Sequence, residues 1–232
     1  MATLNEIVYD LRNMTRGGLL SDDEIMSHDQ FKFWVHNTRA MLIRRDIDKR
    51  RTISDNIKQV LSCIDIEQVD ASLCCPGIKT DCKILRTTAR IPRTIQTAHK
   101  DLIVDVRNIL ITSPSFHFIP YHRAAWAGNN RYTQNLSFSF LLDGFIYVMG
   151  PDNALLEKIT VTGVFANPSD AAEFVSCSGD PCYSDDQEYP ISADIIEVMK
   201  GMIIQNDIQL PFQAPVDTQG NAKHDLRPNQ SA

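Results

Sequence analysis

"LSFSFLLDGFIYVMG", residues 136–150, decides the fold class. Two apolar runs flank Asp143-Gly144. An Asp-Gly pair between such runs signals a two-residue hairpin, because a type I′ turn needs positive φ at both central positions. The spacing predicts strands over 136–142 and 145–149. Working outward, "EKITVTGVF" (157–165) is rich in β-branched residues and predicts a third strand. Towards the N-terminus, "KILRTTARIP" (83–92) and "DLIVDVRN" (101–108) have strand texture too. Residues 54–68 fit two patterns. In "SDNIKQVLSCI", Ile57, Val60, Leu61 and Ile64 fall at helical spacing, whereas "SCIDIEQVD" alternates like a strand.

At both ends of the chain the period changes to helical. Thr3 and Glu6 form a capping box, Leu4, Ile7, Val8 and Leu11 follow at helical spacing, and Gly17-Gly18 ends the segment. Ser27 and Gln30 make a second box, with Met26 placed to staple against Phe31. Phe31, Trp34, Val35, Thr38, Met41 and Leu42 then line one helical face. A third helix is predicted late. Pro190 precedes it, Ser192 caps it, and Ile195, Ile196, Met199, Met202 and Ile203 share a face. Terminal helices of this length cannot bury their apolar faces alone. The prediction is therefore an α+β fold. Its parts are an N-terminal helical part (1–53), an inserted, mainly antiparallel β region (54–190), and a C-terminal helix packing on the first two (191–207). A tail or arm follows over 208–232, rich in Pro, Gln and Asn. Fully extended, a tail of about 25 residues reaches roughly 80 Å, enough to cross a neighbouring subunit. Leu210 and Phe212 are its expected anchors.

The net charge of −6 hides an asymmetry. Residues 1–132 carry 19 Lys+Arg against 15 Asp+Glu, and residues 133–232 carry 4 against 14. A basic half and an acidic half allow copies to bind one another through different faces, although charge also simply solvates surfaces. No run of apolar residues is long enough to span a membrane. The N-terminus lacks the pattern of a signal peptide, which predicts synthesis in a reducing cytoplasm. The six cysteines, Cys63, Cys74, Cys75, Cys82, Cys177 and Cys182, contain no C-x-x-C pair. Their spacing is a poor match to zinc sites, so free thiols are expected, without disulfides or metal.

No phosphate loop, dinucleotide fingerprint, zinc-protease motif or nucleophile elbow is present. His117 and His122 lack a positioned third ligand, and nothing local activates Cys63. The expectation is no catalytic residue and no cofactor. "FWVHNTRAMLIRRDIDKRR" (33–51) ends in a basic cluster. At about 100° per residue Lys32 and Arg39 fall on one flank of the buried stripe, Arg44 on the other and Arg45 near the core edge, unlike the single basic face of a DNA-reading helix. Few exposed aromatics are expected to interleave with them for base stacking. Arg39, Arg44, Arg45, Arg50 and Arg51 are thus assigned, on charge alone, to contacts between subunits.

The segments "LNEIVYDLRNMTRGGLLSDDEIMSHDQFKFWVHNTRAMLIRRDI", "FIPYHRAAWAGNNRYTQN", "VTGVFANPSDAAEF" and "YPISADIIEVMKGMIIQND" occur in this order along the chain. Together they resemble virion structural proteins of crAss-like bacteriophages, similar to the head–tail connector or tail ring proteins of short-tailed phages. The resemblance implies a ring of 12 copies below the portal protein, around the channel through which genomic double-stranded DNA passes. It implies contacts with the portal and adjacent ring or tail proteins, a location in the virion, and no catalysis. Two other classes remain open. One is a nucleic-acid-binding module, and the other a hydrolase using His117, His122 and the cysteines. Within the virion, a tail-tube or other component is a further alternative.

Overall fold

The computed structural model describes residues 2–16, 26–50, 52–70, 83–97, 101–110, 113–128, 130–151 and 156–208. Of the predicted tail, Ile208 is described and is buried at the end of a helical stretch, which corrects the expected boundary. The rest, with Leu210 and Phe212, lies outside the described residues, as do Gly17, Gly18, Cys74, Cys75 and Cys82. The fold is α+β, with helices packed against a mainly antiparallel sheet of seven strands that nearly closes into a barrel.

Helix α1 spans Leu4–Arg16, and the capping box is formed in both directions. The Thr3 amide donates to Glu6 Oε2 at 2.9 Å, and the Glu6 amide donates to Thr3 Oγ1 at 3.1 Å. Helix α2 spans His28–Arg50, with the Gln30 amide donating to Ser27 Oγ at 3.2 Å. Its apolar face differs from the expected one. Met41 is exposed, and the buried ridge runs Phe31, Val35, Arg39, Ile43, Ile47. Steps of four residues advance about 40° each, so this ridge winds roughly 160° around the helix. The reason is that α2 meets two neighbours in succession. Its first half joins the main core with α1, while Ile43 and Ile47 join a smaller cluster with Ile57, Ile95, Leu102 and Val164.

The ambiguous segment resolves into a short 3₁₀ turn, Asp55–Ile57, and then strand β1, Gln59–Asp70. The other strands are β2 (Lys83–Thr87), β3 (Ile103–Asn108), β4 (His117–Phe118), β5 (Phe138–Leu142), β6 (Phe145–Met149) and β7 (Lys158–Gly163). Their order is β3-β7-β1-β2-β6-β5-β4, and only the β4–β5 pair is parallel. The β5–β6 hairpin turns at Asp143 (φ 52°) and Gly144 (φ 84°), the type I′ geometry that the Asp-Gly pair requires. The edge strands approach each other. The Phe116 amide donates to the Val106 carbonyl at 2.7 Å, and Arg107 bridges Ser115. These contacts cover part of two edges that would otherwise invite non-specific pairing.

One strand carries the barrel round its corner. β1 pairs with β7 as far as Asp65 and with β2 from Ile66 onward. Between Leu61 and Ile64 the register shifts, and Cys63 takes the left-handed conformation (φ 58°) of a β-bulge. Here the expectation of free thiols is corrected. Cys63 is disulfide-bonded to Cys177, with Cα atoms 5.2 Å apart across a sequence separation of 114. The partner sits on a small loop held by the Val175–Pro181 bridge. The bulge and this loop meet only through the tertiary fold, so no local spacing could announce the pair. Among the described residues Cys182 is a free thiol.

Helix α3, Ala193–Met202, continues into a π-helical stretch, Ile203–Ile208, and packs on α2. Ile196, Met199 and Ile203 share the main core with Leu4, Ile7, Trp34 and Val35 from the helices and Leu61, Val106, Ile146 and Val161 from the barrel. The two chain ends are tied directly. Thr3 bridges Glu188, the Tyr189 amide donates to the Ala2 carbonyl at 3.1 Å, and Lys200 Nζ donates to Asp10 Oδ2 at 2.9 Å. Burial works against the Lys200 charge, but Asp10 and Glu197 outweigh it and hold its pKa above the usual value.

Candidate subunit interface

Of the residues assigned to subunit contacts, Arg39 is corrected by the structure. Its side chain is fully buried inside its own chain. Nε donates to the Pro190 carbonyl at 2.7 Å, and Nη1 donates to the Phe165 carbonyl at 2.8 Å. The guanidinium lies 5.5 Å from the centroid of the Tyr189 ring. Burial pushes the Arg39 pKa down, opposed by Tyr189 and Tyr183, but a guanidinium remains charged in a protein. Arg39 therefore clamps α2 to the segments after β7 and before α3. It was misplaced because a charged residue was read as marking a helix flank. In fact it occupies the centre of the winding ridge.

A polar chain extends from this clamp to the surface. His36, one turn before Arg39, places Nδ1 2.9 Å from the Tyr189 hydroxyl and Nε2 3.4 Å from Ser169 Oγ. Ser169 Oγ donates to Asp185 Oδ1 at 2.8 Å, and Lys32 Nζ donates to Asp185 Oδ2 at 2.6 Å. Serine, histidine and aspartate thus come together, but in the wrong order for nucleophilic catalysis. In a catalytic triad the histidine lies between carboxylate and hydroxyl and receives the hydroxyl proton. Here the single hydroxyl proton of Ser169 goes to Asp185. Nε2 of His36 must then donate to Ser169, while Nδ1 accepts from Tyr189. The arrangement joins α2 to residues 169–189.

Burial, assisted by the nearby Arg39, lowers the His36 pKa to about 4 against an opposing pull from Asp185. The unfolded chain takes up a proton at this residue near pH 6.5, and the folded chain does so only near pH 4. Stability is unaffected above that window and falls as pH drops through it, by up to about 3 kcal/mol. Thermal melts at pH 7 and pH 4.5 should show this loss, and His36→Gln should remove most of the difference. Equal pH slopes in the two proteins would contradict the assignment.

The remaining basic residues of α2 face outward. Arg44 is exposed, with Nε 3.9 Å from Asp48 Oδ2 one turn on. Such an exposed i,i+4 contact contributes only about 0.3–0.5 kcal/mol and leaves the guanidinium available to another chain. Arg45 is exposed beside a groove between α2 and α3, lined by Asp46, Lys49, Asp194, Ile195, Val198 and Met202. The Arg50 side chain and all of Arg51 lie outside the described residues.

A second surface was missed in the sequence. Between β4 and β5, a 3₁₀ turn (Tyr121–Trp126) and the residues after it project from the barrel. Trp126 is 78% exposed and Tyr132 is 84% exposed. Arg123 and Arg131 beside them in the sequence are also exposed, so aromatic and basic residues mix on this surface, away from the arginines of α2. The alternation that marks strands fails here, and nothing in a single sequence distinguishes a projecting tryptophan from a core one. The His117 ring lies tilted against Phe138 on β5, with centroids 5.8 Å apart, and His122 is exposed on the turn. Among the described residues, no group of three potential metal ligands is found, and no helix is long and apolar enough to cross a membrane.

A search of curated proteins finds no match. Residues 6–226 match the family model described as phage tail ring protein 2, of the crAss-like phages. The match runs from the first turn of α1, through the nearly closed barrel and the Arg39 clamp, and beyond the end of α3. The chain belongs to the crAss-like phage tail ring protein 2 family.

Proposed function

We propose that this chain is a non-catalytic virion component that closes into a ring of 12 copies at the head–tail junction. In this reading the ring lies below the portal protein, contacts the portal and adjacent ring or tail proteins, and surrounds the channel through which genomic double-stranded DNA passes. The family match over residues 6–226 carries the proposal. The outward Arg44 and Arg45 and the strongly divided charge support it. A closed ring needs two different patches on every subunit, and oppositely charged patches favour the correct neighbour. The tail over 208–232, with Leu210 and Phe212 as anchors, is the natural arm for crossing to an adjacent chain.

Imaging purified particles with a label on this chain tests the location. A ring of label between capsid and tail is the expected result, and label elsewhere on the particle would refute the placement. The double reversal Arg44→Glu/Arg45→Glu tests the contact, and wild-type association should also weaken as salt rises. If the double variant instead loses duplex DNA binding and self-associates normally, these arginines serve DNA.

A further inference from the structure

The projection carrying Trp126 and Tyr132 is built like the anchor of a protein contact. Tryptophan, tyrosine and arginine are the residue types that dominate binding energy at interfaces, and here one tryptophan, one tyrosine and two arginines are exposed within ten residues of sequence: Trp126, Tyr132, Arg123 and Arg131. The turn is held rigidly from below, since Tyr121 packs against Phe140 of β5 at 5.6 Å. A shallow groove floored by Ile119, Ala127 and Phe138 lies beside Trp126.

Charge identifies the occupant. From Val106 to Leu142 the sequence contains no Asp or Glu, while Arg107, Arg123 and Arg131 are present. From Ile159 to Met199 it contains no Lys or Arg and 8 acidic residues. Of these, Glu173, Asp180, Asp186 and Glu188 are exposed on one stretch of chain. The two surfaces belong to different sides of the barrel. The projection rests on β5, and the 3₁₀ turn Pro168–Glu173 rests on β1. In the order β3-β7-β1-β2-β6-β5-β4, β1 and β5 are three places apart, the largest separation that a nearly closed ring of seven strands allows. A chain so built cannot satisfy its own projection, but the next copy in a ring can.

We infer that the Trp126–Tyr132 projection seats on the acidic surface of residues 173–188 in a neighbouring copy, and that this is the contact repeated around the ring. The inference rests on the ring assembly proposed above. It goes further by naming the two surfaces that meet.

The full-length chain is compared with three variants by sedimentation velocity at low salt, and each is tested for incorporation into particles. Trp126→Ser/Tyr132→Ser should weaken self-association by about 30-fold or more while leaving the melting temperature unchanged. Arg123→Glu/Arg131→Glu should do the same. Adding Glu173→Lys/Glu188→Lys to that second variant reverses both surfaces in one chain and should restore association. Normal rings from the first two variants, or no recovery in the third, would overturn the inference and leave the ring assembly standing. Variants that form rings but fail to enter particles would also overturn it, because the projection would then serve a different virion protein. A wild-type chain that forms no ring, either alone or in particles, would refute the ring assembly itself and the inference with it.

Discussion

Arg39→Ala should lower the stability of the folded chain by about 3–5 kcal/mol, because a buried charge pair or charge–dipole set broken on one side leaves its partner unpaired. The Pro190 and Phe165 carbonyls would lose their donors at 2.7 Å and 2.8 Å, in a site with no exposure to water. Each unpaired buried carbonyl costs about 1–3 kcal/mol. The void left by the guanidinium stem adds to this, and relief from burying a charge subtracts from it. The carbonyls decide the sign, since they cannot move without breaking the segments on either side. For a chain of this size the melting temperature should fall by roughly 6–20 °C. Arg39→Lys keeps the charge but cannot span both carbonyls with a planar fork, so it should recover only part of the loss. A melting temperature for Arg39→Ala within 2 °C of wild type, taking about 2 °C as the smallest informative shift, would show that the clamp contributes nothing.

Trp34→Ala should cost a comparable amount, about 3–5 kcal/mol, for a different reason. Trp34 packs edge-on against Phe31 with ring centroids 5.5 Å apart, inside the core that includes Leu4, Val8, Ile196 and Met199. Removing the indole opens a cavity where residues from the two ends of the sequence meet, and neither end can collapse into it without pulling on the barrel. The neighbouring Phe33, 63% exposed, supplies the control. Phe33→Ala should change stability by no more than about 0.5 kcal/mol. If the two variants melt alike, the helical layer does not depend on Trp34.

Much of this architecture was legible in the sequence because its signals are local. The Asp143-Gly144 turn, the capping box of Thr3 and Glu6, and the late helix with Ile196 and Met199 each depend on residues a few positions apart. Trp34 and Ile196 could be placed together because two half-amphipathic ends of one chain need a common partner. What stayed hidden is non-local. The barrel's closure between Val106 and Phe116 depends on how the sheet curls. The Cys63–Cys177 bond depends on a bulge meeting a distant loop. Arg39 misled because its partners are main-chain carbonyls, which carry no sequence signature. The exposed position of Arg44 was recoverable from helical angle, whereas Arg45, expected near the core edge, is exposed, and Trp126 and Tyr132 were not recoverable, since an aromatic residue reads as core until something shows that it is outside.

The pairing of Thr3 with Glu188, and of Lys200 with Asp10, sets when the molecule can be completed. During translation α1 and α2 emerge first, but the surfaces that cover them arrive last. The nascent chain must reach Pro190 before Arg39 finds both its partners, and must extend through α3 before Ile196 and Met199 join Trp34 in the core. Contacts of such long sequence separation make folding slow relative to local folds, and they expose apolar helix faces in the interim. A truncated product ending before residue 190 would lack both the Pro190 carbonyl and the whole of α3. Only chains extended through α3 can therefore complete the helical layer, a form of quality control applied before any subunit reaches its neighbours.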